Sequence, residues 1–224
     1  MTVTEKFAEA LQARSGERSY FLLHNAPDTS RLDVKRNPSS QGETRLLHHG
    51  NIHERNGIQF MFAPLLGVNQ AGRRFVLEIQ GQGPYWDTLK QTSNKMGLSD
   101  DVEFGGPFDY SDIAPRLGVA HAGIVIPAQS AQMHQALHVK FLEYAACKVP
   151  IIARRLNTLE HYFPDDCAFY VETEKDILEA LETLRADPEQ AQSRAERAYD
   201  KLQEISWEVE RPKFLEFVKK VMRK

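Results

Sequence analysis

The stretch "RLLHHGNIHERNGIQFMFAPLLGVNQAGRRFVLEIQG", residues 45–81, decides the fold. Its opening six residues read as a strand that stops at Gly50. Residues 55–71 then carry Ile58, Met61, Phe62 and Leu65 at helical spacing, and "FVLEIQG", 75–81, is a second strand. Strand, helix and strand in this order make a βαβ unit, because parallel strands need a crossover and a helix is the usual one. The alternation continues downstream. "YWDTLKQTSNKMG" is a helix closed by Gly97, "VEFGG" (102–106) a third strand, and "YSDIAPRLG" (110–118) a short helix interrupted by Pro115. "AGIVIP" (122–127) has the β-branched run of a strand buried on both faces. Residues 128–135 read as a loop, 136–148 as a helix, "VPIIA" (149–153) as a strand and "CAFYVE" (167–172) as a sixth strand. Helices at about 174–186, 188–204 and 207–223 complete the chain. The expected class is α/β, a doubly wound parallel sheet of about six strands with helices on both faces.

Ahead of this domain, residues 3–14 read as a polar helix, Tyr20–Leu23 in "SYFLLHNAPD" as a short strand, and 31–44 as a linker. The division expected is therefore 1–40 (helix, strand and linker), 41–205 (the α/β domain) and 206–224 (a C-terminal helix). The composition, 224 residues with 42% hydrophobic and 26% charged, suits one large domain or two small ones. A formal net charge of −3 gives no strongly basic field, so nucleic acid is not an expected partner. Cys147 and Cys167 form no CxxC pair, as expected in a reducing compartment. The N-terminus has no apolar signal region and no run approaches 18 apolar residues, which together point to the cytoplasm. The terminal "FLEFVKKVMRK" is a basic amphipathic helix, read as a packing helix with weak membrane-surface contact as the lesser reading.

In open parallel sheets, ligands lie outside the carboxyl ends of the strands. Those ends here are Gly50-Asn51, Gly81-Gln82-Gly83-Pro84, Gly105-Gly106-Pro107 and Pro127. Glycines at three successive ends let a ligand approach the backbone, or simply make tight turns; the pattern is not a GxGxxG fingerprint. In the helix of "ALHVKFLEYAACKVPIIA" (136–153), Phe141, Leu142, Ala145 and Ala146 share one side. Lys140, Glu143, Tyr144 and Cys147 fall opposite, which puts the charged pair off the core. A carboxylate there can accept from a ribose diol and an ammonium can sit beside phosphate. The same spacing also suits a solvated i,i+3 ion pair. No metal is expected: His48 and His49 are strand neighbours facing opposite ways, one of them a candidate crevice residue, with His53 nearby. Asp100-Asp101 and Asp165-Asp166 read as turn and capping residues, and no Asp-x-Asp, Gly-x-Ser-x-Gly or Walker motif occurs.

From about Ser19 onward the chain resembles the C-terminal, donor-binding half of a family 4 glycosyltransferase of the GT-B fold. "LLHHGNIHERNGI" is similar to the family's Gly-Arg-x5-Lys-Gly segment, "FVLEIQGQGP" to its strand ending in Gly-x-Gly-Pro, and "VEFGGPF" to its Val-x-Phe-x-Gly strand. "HVKFLEYAACKVPIIA" resembles the family's Pro-x-Lys-x-x-Glu-Tyr-x-Ala-x-x-x-Pro segment. "FLLHNAPD" is similar to the joining strand, and Ser206-Trp207 to the start of the last helix. The resemblance implies a single Rossmann-like GT-B half-domain that binds a nucleoside-diphosphate sugar as substrate, with no other cofactor, and transfers the sugar with retention to a glycan or lipid-linked acceptor. It gives Glu143 the ribose, Lys140 and Arg55 the phosphates and Gln135 the sugar. Gly50, Asn51, Gly81, Gly83, Gly105 and Gly106 would shape the cleft. Asn51 and Asn56 stand where the family has its basic pair, and Arg55 comes one residue early. An acceptor-binding half, in the same protein or a separate subunit, is the implied partner. The other readings are a non-catalytic nucleotide-sugar-binding subunit and a nucleotide-sugar epimerase.

Overall fold

Six strands, all parallel, run in the order β3-β2-β1-β4-β5-β6: β1 Thr44–Asn51, β2 Phe75–Gln82, β3 Val102–Gly106, β4 Ala122–Val125, β5 Ile151–Arg154 and β6 Phe169–Val171. The computed structural model describes residues 1–15, 20–38 and 42–223, so residues 39–41 of the expected linker, Ser19 and Lys224 lie outside it. Helices α1 Glu5–Ser15, α2 Phe62–Gln70, α3 Trp86–Lys95, α4 Ile113–Val119, α5 Ala131–Gln135, α6 Val139–Ala146, α7 Asn157–Tyr162, α8 Glu174–Ala186, α9 Pro188–Gln203 and α10 Trp207–Met222 complete the elements used below. The expected class and strand count hold.

Alternation along β1 feeds two cores. Leu46 packs with Leu65, Leu77, Ile124 and Leu181 on one face, and Leu47 with Leu117, Tyr144 and Leu202 on the other. The first crossover is not one continuous helix over 55–71. It opens with 3₁₀ turns at Glu54–Asn56 and Ile58–Met61, and α2 proper starts only at Phe62. Gly57 is the cause, because its φ of +70° breaks the helix, and a Cβ there would stand 1.9 Å from the Ile126 carbonyl oxygen. The loop expected at 128–135 ends in a short helix instead, with Ser130 accepting from the Met133 amide at 3.2 Å.

The N-terminal segment corrects two further expectations. Tyr20–Leu23 is not a strand, since it makes only a single bridge between Thr2 and Leu22 and has no sheet beside it. The described part of the expected linker packs on the domain: Leu32 is buried and its carbonyl accepts from Cys147 Sγ at 3.1 Å. The Arg36 guanidinium donates to the Lys148 and Ala120 carbonyls at 2.8 and 2.9 Å. α10 holds the N-terminal segment through buried Glu210, which accepts from the His24 amide (3.1 Å) and Lys213 (2.9 Å), and through Phe217 stacked on Phe21 at 4.2 Å. No helix among the described residues is long and apolar enough to cross a membrane.

Candidate functional site

Strand order reverses between β1 and β4, and two crevices open at the strand tips on either side of β1. The larger, about 930 Å³, lies over the ends of β1, β2 and β3 and is lined by Gly50, Asn51, Gly81, Gly83, Trp86, Asp87, Pro107, Phe108 and Tyr110. The smaller, about 290 Å³, lies between the tips of β1 and β4 and the start of α6, lined by His48, Arg55, Asn56, Pro127, His138 and Lys140 among others. This is the switch point at which doubly wound sheets bind ligands. Lys140 marks the seam between the two. A Cβ on Gly50 would lie 3.0 Å from its Cε and 3.3 Å from its Nζ, so the bare glycine gives the lysine its place across the β1 tip. α6 starts there without a side-chain cap, the ring of its N-cap residue His138 being turned to the Met133 carbonyl at 3.2 Å. Its first-turn amides are thus left to meet an anion.

α6 is positioned by Tyr144. The Tyr144 ring lies flat over Gly123 of β4, and its hydroxyl donates to the Leu47 carbonyl at 2.7 Å. With Tyr144 turned into the core, the preceding carboxylate lands beneath the β1 tip. Glu143 is only 4% exposed, and its Oε2 is 3.4 Å from His49 Nε2. Burial raises its pKa, against the opposing pull of Tyr110 and Lys140. Burial and Lys140 together press His49 down to about 3, so a neutral imidazole sits beside the carboxylate. The same causes hold His48 well below its ordinary value. His48 Nδ1 is 3.1 Å from the Ile124 carbonyl, which can only accept, so Nδ1 carries the hydrogen and the unpartnered, buried Nε2 keeps its lone pair. Burial also lowers the Lys140 pKa, with Glu143 opposing.

The structure brings together most of the residues singled out from sequence, and separates some. Gly50, Asn51, Gly81 and Gly83 line the larger crevice, Arg55 and Lys140 the smaller, and Glu143 lies beneath both. Gly81 and Gly83 also have a packing reason: a Cβ would stand 1.8 Å from the Gly50 carbonyl oxygen and 2.3 Å from that of Ile52. Gly105 packs on Gln80, and Gly106, at φ +76°, turns the chain so that Pro107, Phe108 and Tyr110 reach the crevice in their place. Gln135 is elsewhere, in a surface cleft with Lys6 and Asn157, its carbonyl accepting from Thr4 Oγ1 at 3.0 Å. Asn56 Nδ2 donates to the Asn51 carbonyl and braces the turn.

One expectation is corrected outright. The side of α6 opposite Phe141 and Leu142 is not off the core: Glu143, Tyr144 and Cys147 are all buried, because the sheet, residues 107–112 and the 32–36 segment close around the helix. Trp86 and Tyr110 line the site and were not singled out, whereas His49, beside Glu143, belongs to the histidine pair of which one was a candidate crevice residue. The available signal was an aromatic residue within a few positions of each glycine turn. His48 and His49 face opposite sides of the sheet, as their adjacency requires, and no group of three metal-ligating side chains forms among the described residues.

A family model described as glycosyl transferase-like matches residues 55–209. No curated protein matches the chain by sequence. Among solved structures it is similar to sucrose-phosphate synthase from Thermosynechococcus elongatus, with TM-score 0.74 and 16% identity over 99% of this chain and 57% of that one. It is similar to HepE from Anabaena in complex with UDP-glucose, with TM-score 0.79 and 14% identity over 95% of this chain and 61% of that one. The C-terminal domain of a group 1 family glycosyl transferase, LpcC, from Francisella tularensis gives TM-score 0.64 and 16% identity over 80% of this chain and 97% of that one. At these identities the likeness is one of fold, and the chain spans little more than half the length of the first two.

Proposed function

The chain belongs to the glycosyl transferase-like family, and on that premise we propose that it is the donor-binding half of a retaining glycosyltransferase, holding a nucleoside-diphosphate sugar across the β1 tip. The observation that carries this reading is the seam at Lys140, where one ammonium and the uncapped start of α6 join an aromatic-walled crevice to a smaller one that holds His48, Arg55 and His138. The nucleoside lies in the larger crevice beside Trp86. The diphosphate passes over Gly50, where Lys140, the α6 amides and Arg55 supply positive charge. Glu143 accepts from the ribose. The sugar is directed into the smaller crevice, with His48 in its wall. Gln135 has no part, since its cleft faces Lys6 instead.

Transfer then rests on orientation and on stabilising the departing diphosphate. The acceptor comes from a second half, a domain or a partner chain, for which the extra length of HepE and sucrose-phosphate synthase leaves room. That same difference in span supports one further reading, a donor-binding subunit that is inactive by itself. Family membership weighs against an epimerase. Calorimetric titration with UDP and GDP, followed by turnover assays on nucleotide sugars, tests the proposal. Binding with turnover supports the enzyme, and binding without turnover the subunit. Absence of binding by either nucleotide refutes both.

A further inference from the structure

The contacts that hold α10 occupy one side of it. Glu210 is buried and accepts from the His24 amide, Phe217 stacks on Phe21, and Trp207, Phe214 and Val218 share that side at helical spacing, all half-buried. Successive residues turn by about 100°, which sets Arg211, Leu215, Lys219, Met222 and Arg223 within an outward arc of about 120°. Leu215 is 46% and Met222 81% exposed, and in the last turn even Val221, on the inward side, is 55% exposed. Glu208, the acid that falls on this arc in the first turn, accepts from the Thr29 hydroxyl at 3.1 Å. Over residues 211–223 five cations stand against one carboxylate, Glu216, in a chain whose net charge is −3. Lys213 is paired with Glu210, whereas Arg211, Lys219, Lys220 and Arg223 make no ion pair with another described residue.

We propose that the outward arc of α10 docks on an anionic lipid bilayer. The helix lies in the headgroup layer with Leu215, Val221 and Met222 inserted, and Arg211, Lys219, Lys220 and Arg223 reach the lipid phosphates. The pattern of side chains selects a bilayer over a protein partner. Apolar residues stand singly between long basic ones, and lysine is depleted from the buried centres of protein interfaces. In a bilayer the same mixture is favourable, because Lys and Arg stems cover hydrocarbon while their charged heads stay among the headgroups. The cations lie on a chain that is net negative, so a negative surface attracts this helix and repels the remainder, which fixes the orientation of approach. α10 is not long and apolar enough to span, so the contact is interfacial. Glu210 and Phe217 hold the helix from behind, and the arc is therefore displayed already folded. The inference is independent of the nucleotide reading, since vesicle binding is measured with no nucleotide present.

The test is co-sedimentation of the full chain with vesicles of phosphatidylcholine alone and of phosphatidylcholine mixed with phosphatidylglycerol. The variants are the pairs Lys219→Glu with Lys220→Glu and Leu215→Asn with Met222→Asn, each checked for folding by circular dichroism. Wild type is expected to bind the anionic vesicles, to bind phosphatidylcholine about tenfold or more weakly, and to lose binding as salt is raised. The lysine pair should lower partitioning on the order of tenfold and the apolar pair by roughly severalfold. The indole introduced by Leu215→Trp should shift its emission to the blue on anionic vesicles, beyond any shift of wild type, because insertion takes it out of water. No binding to anionic vesicles, or binding that neither pair reduces, overturns the proposal. An indole at 215 that stays in water while the chain is vesicle-bound overturns the inserted arrangement. A dimer in sedimentation equilibrium that the apolar pair converts to monomer, with no vesicle binding, overturns it too and makes the arc an interface between copies.

Discussion

Gly123→Ala tests whether the site is held in place by the core as described. Gly123 lies in β4, paired with Leu47 and Ile151, and the Tyr144 ring covers it. An added Cβ would stand 2.4, 2.4 and 2.5 Å from Cγ, Cδ1 and Cδ2 of that ring. Ordinary contact begins near 3.4 Å, so three atoms overlap the methyl by about 1 Å. The ring cannot tilt away cheaply, because it is fully buried and its hydroxyl is bonded to the Leu47 carbonyl at 2.7 Å. Overpacking of this kind costs about 1–3 kcal/mol, and a ring fixed at both ends belongs at the upper part of that range. For a chain of this length about 3 kcal/mol lowers the melting temperature by roughly 6–12 °C. The assay is urea and thermal unfolding followed by circular dichroism on Gly123→Ala, Tyr144→Leu and the double variant. The pair should couple by about 0.5–3 kcal/mol, since removing the ring makes room for the methyl. Lys140 and Glu143 ride on the helix this ring pins, so Gly123→Ala should weaken UDP or GDP binding as well. A Gly123→Ala protein melting within about 1 °C of wild type, or strictly additive losses in the double variant, would refute the packing argument.

Three further outcomes are expected. Glu143→Ala should weaken UDP or GDP binding by roughly 1–3 kcal/mol, the loss of a charged hydrogen-bond acceptor, and unchanged titrations in a folded variant would end its assignment to the ribose. His49 has its folded pKa pressed to about 3 and His48 well below its ordinary value. Below an unfolded value of about 6.5 the unfolded chain binds more protons, so stability is full above that pH and falls beneath it by up to about 1.4 kcal/mol per pH unit for each histidine. Urea midpoints between pH 7.5 and 5.5 check this, with a shallower slope expected in His49→Gln and a flat wild-type profile counting against it. Glu210→Ala removes the acceptor shared by the His24 amide and Lys213 and should cost about 1–3 kcal/mol. Its mark is faster hydrogen exchange over residues 1–15 and 20–28, and unchanged protection there would mean the segment is held by other contacts.

How far the sequence could be read follows from which physical signals are local. The strands announce themselves by apolar runs ended by glycine, and α8 and α9 by long periodic patterns with capping residues: Thr173 and Asp176 form a reciprocal capping box, and Asp187 caps with Pro188 behind it. Strand order is not local. That β1 lies between β2 and β4 depends on which faces pack together, and residue spacing says nothing of it. α5 and α7, of five and six residues, are too short to show a period. Tyr20–Leu23 has strand-like residues and no sheet to join. α6 shows the same limit inside the site. A helical projection knows one buried side, but this helix is enclosed by β4, by Leu32 and by the turn bearing Tyr110, so its second side is buried as well. The spacing of Lys140 and Glu143 was legible, and so was their nearness to the strand tips. Whether the carboxylate met solvent or protein depended on His49 across the strand tip and on the turn that follows β3, neither of which its own spacing reveals.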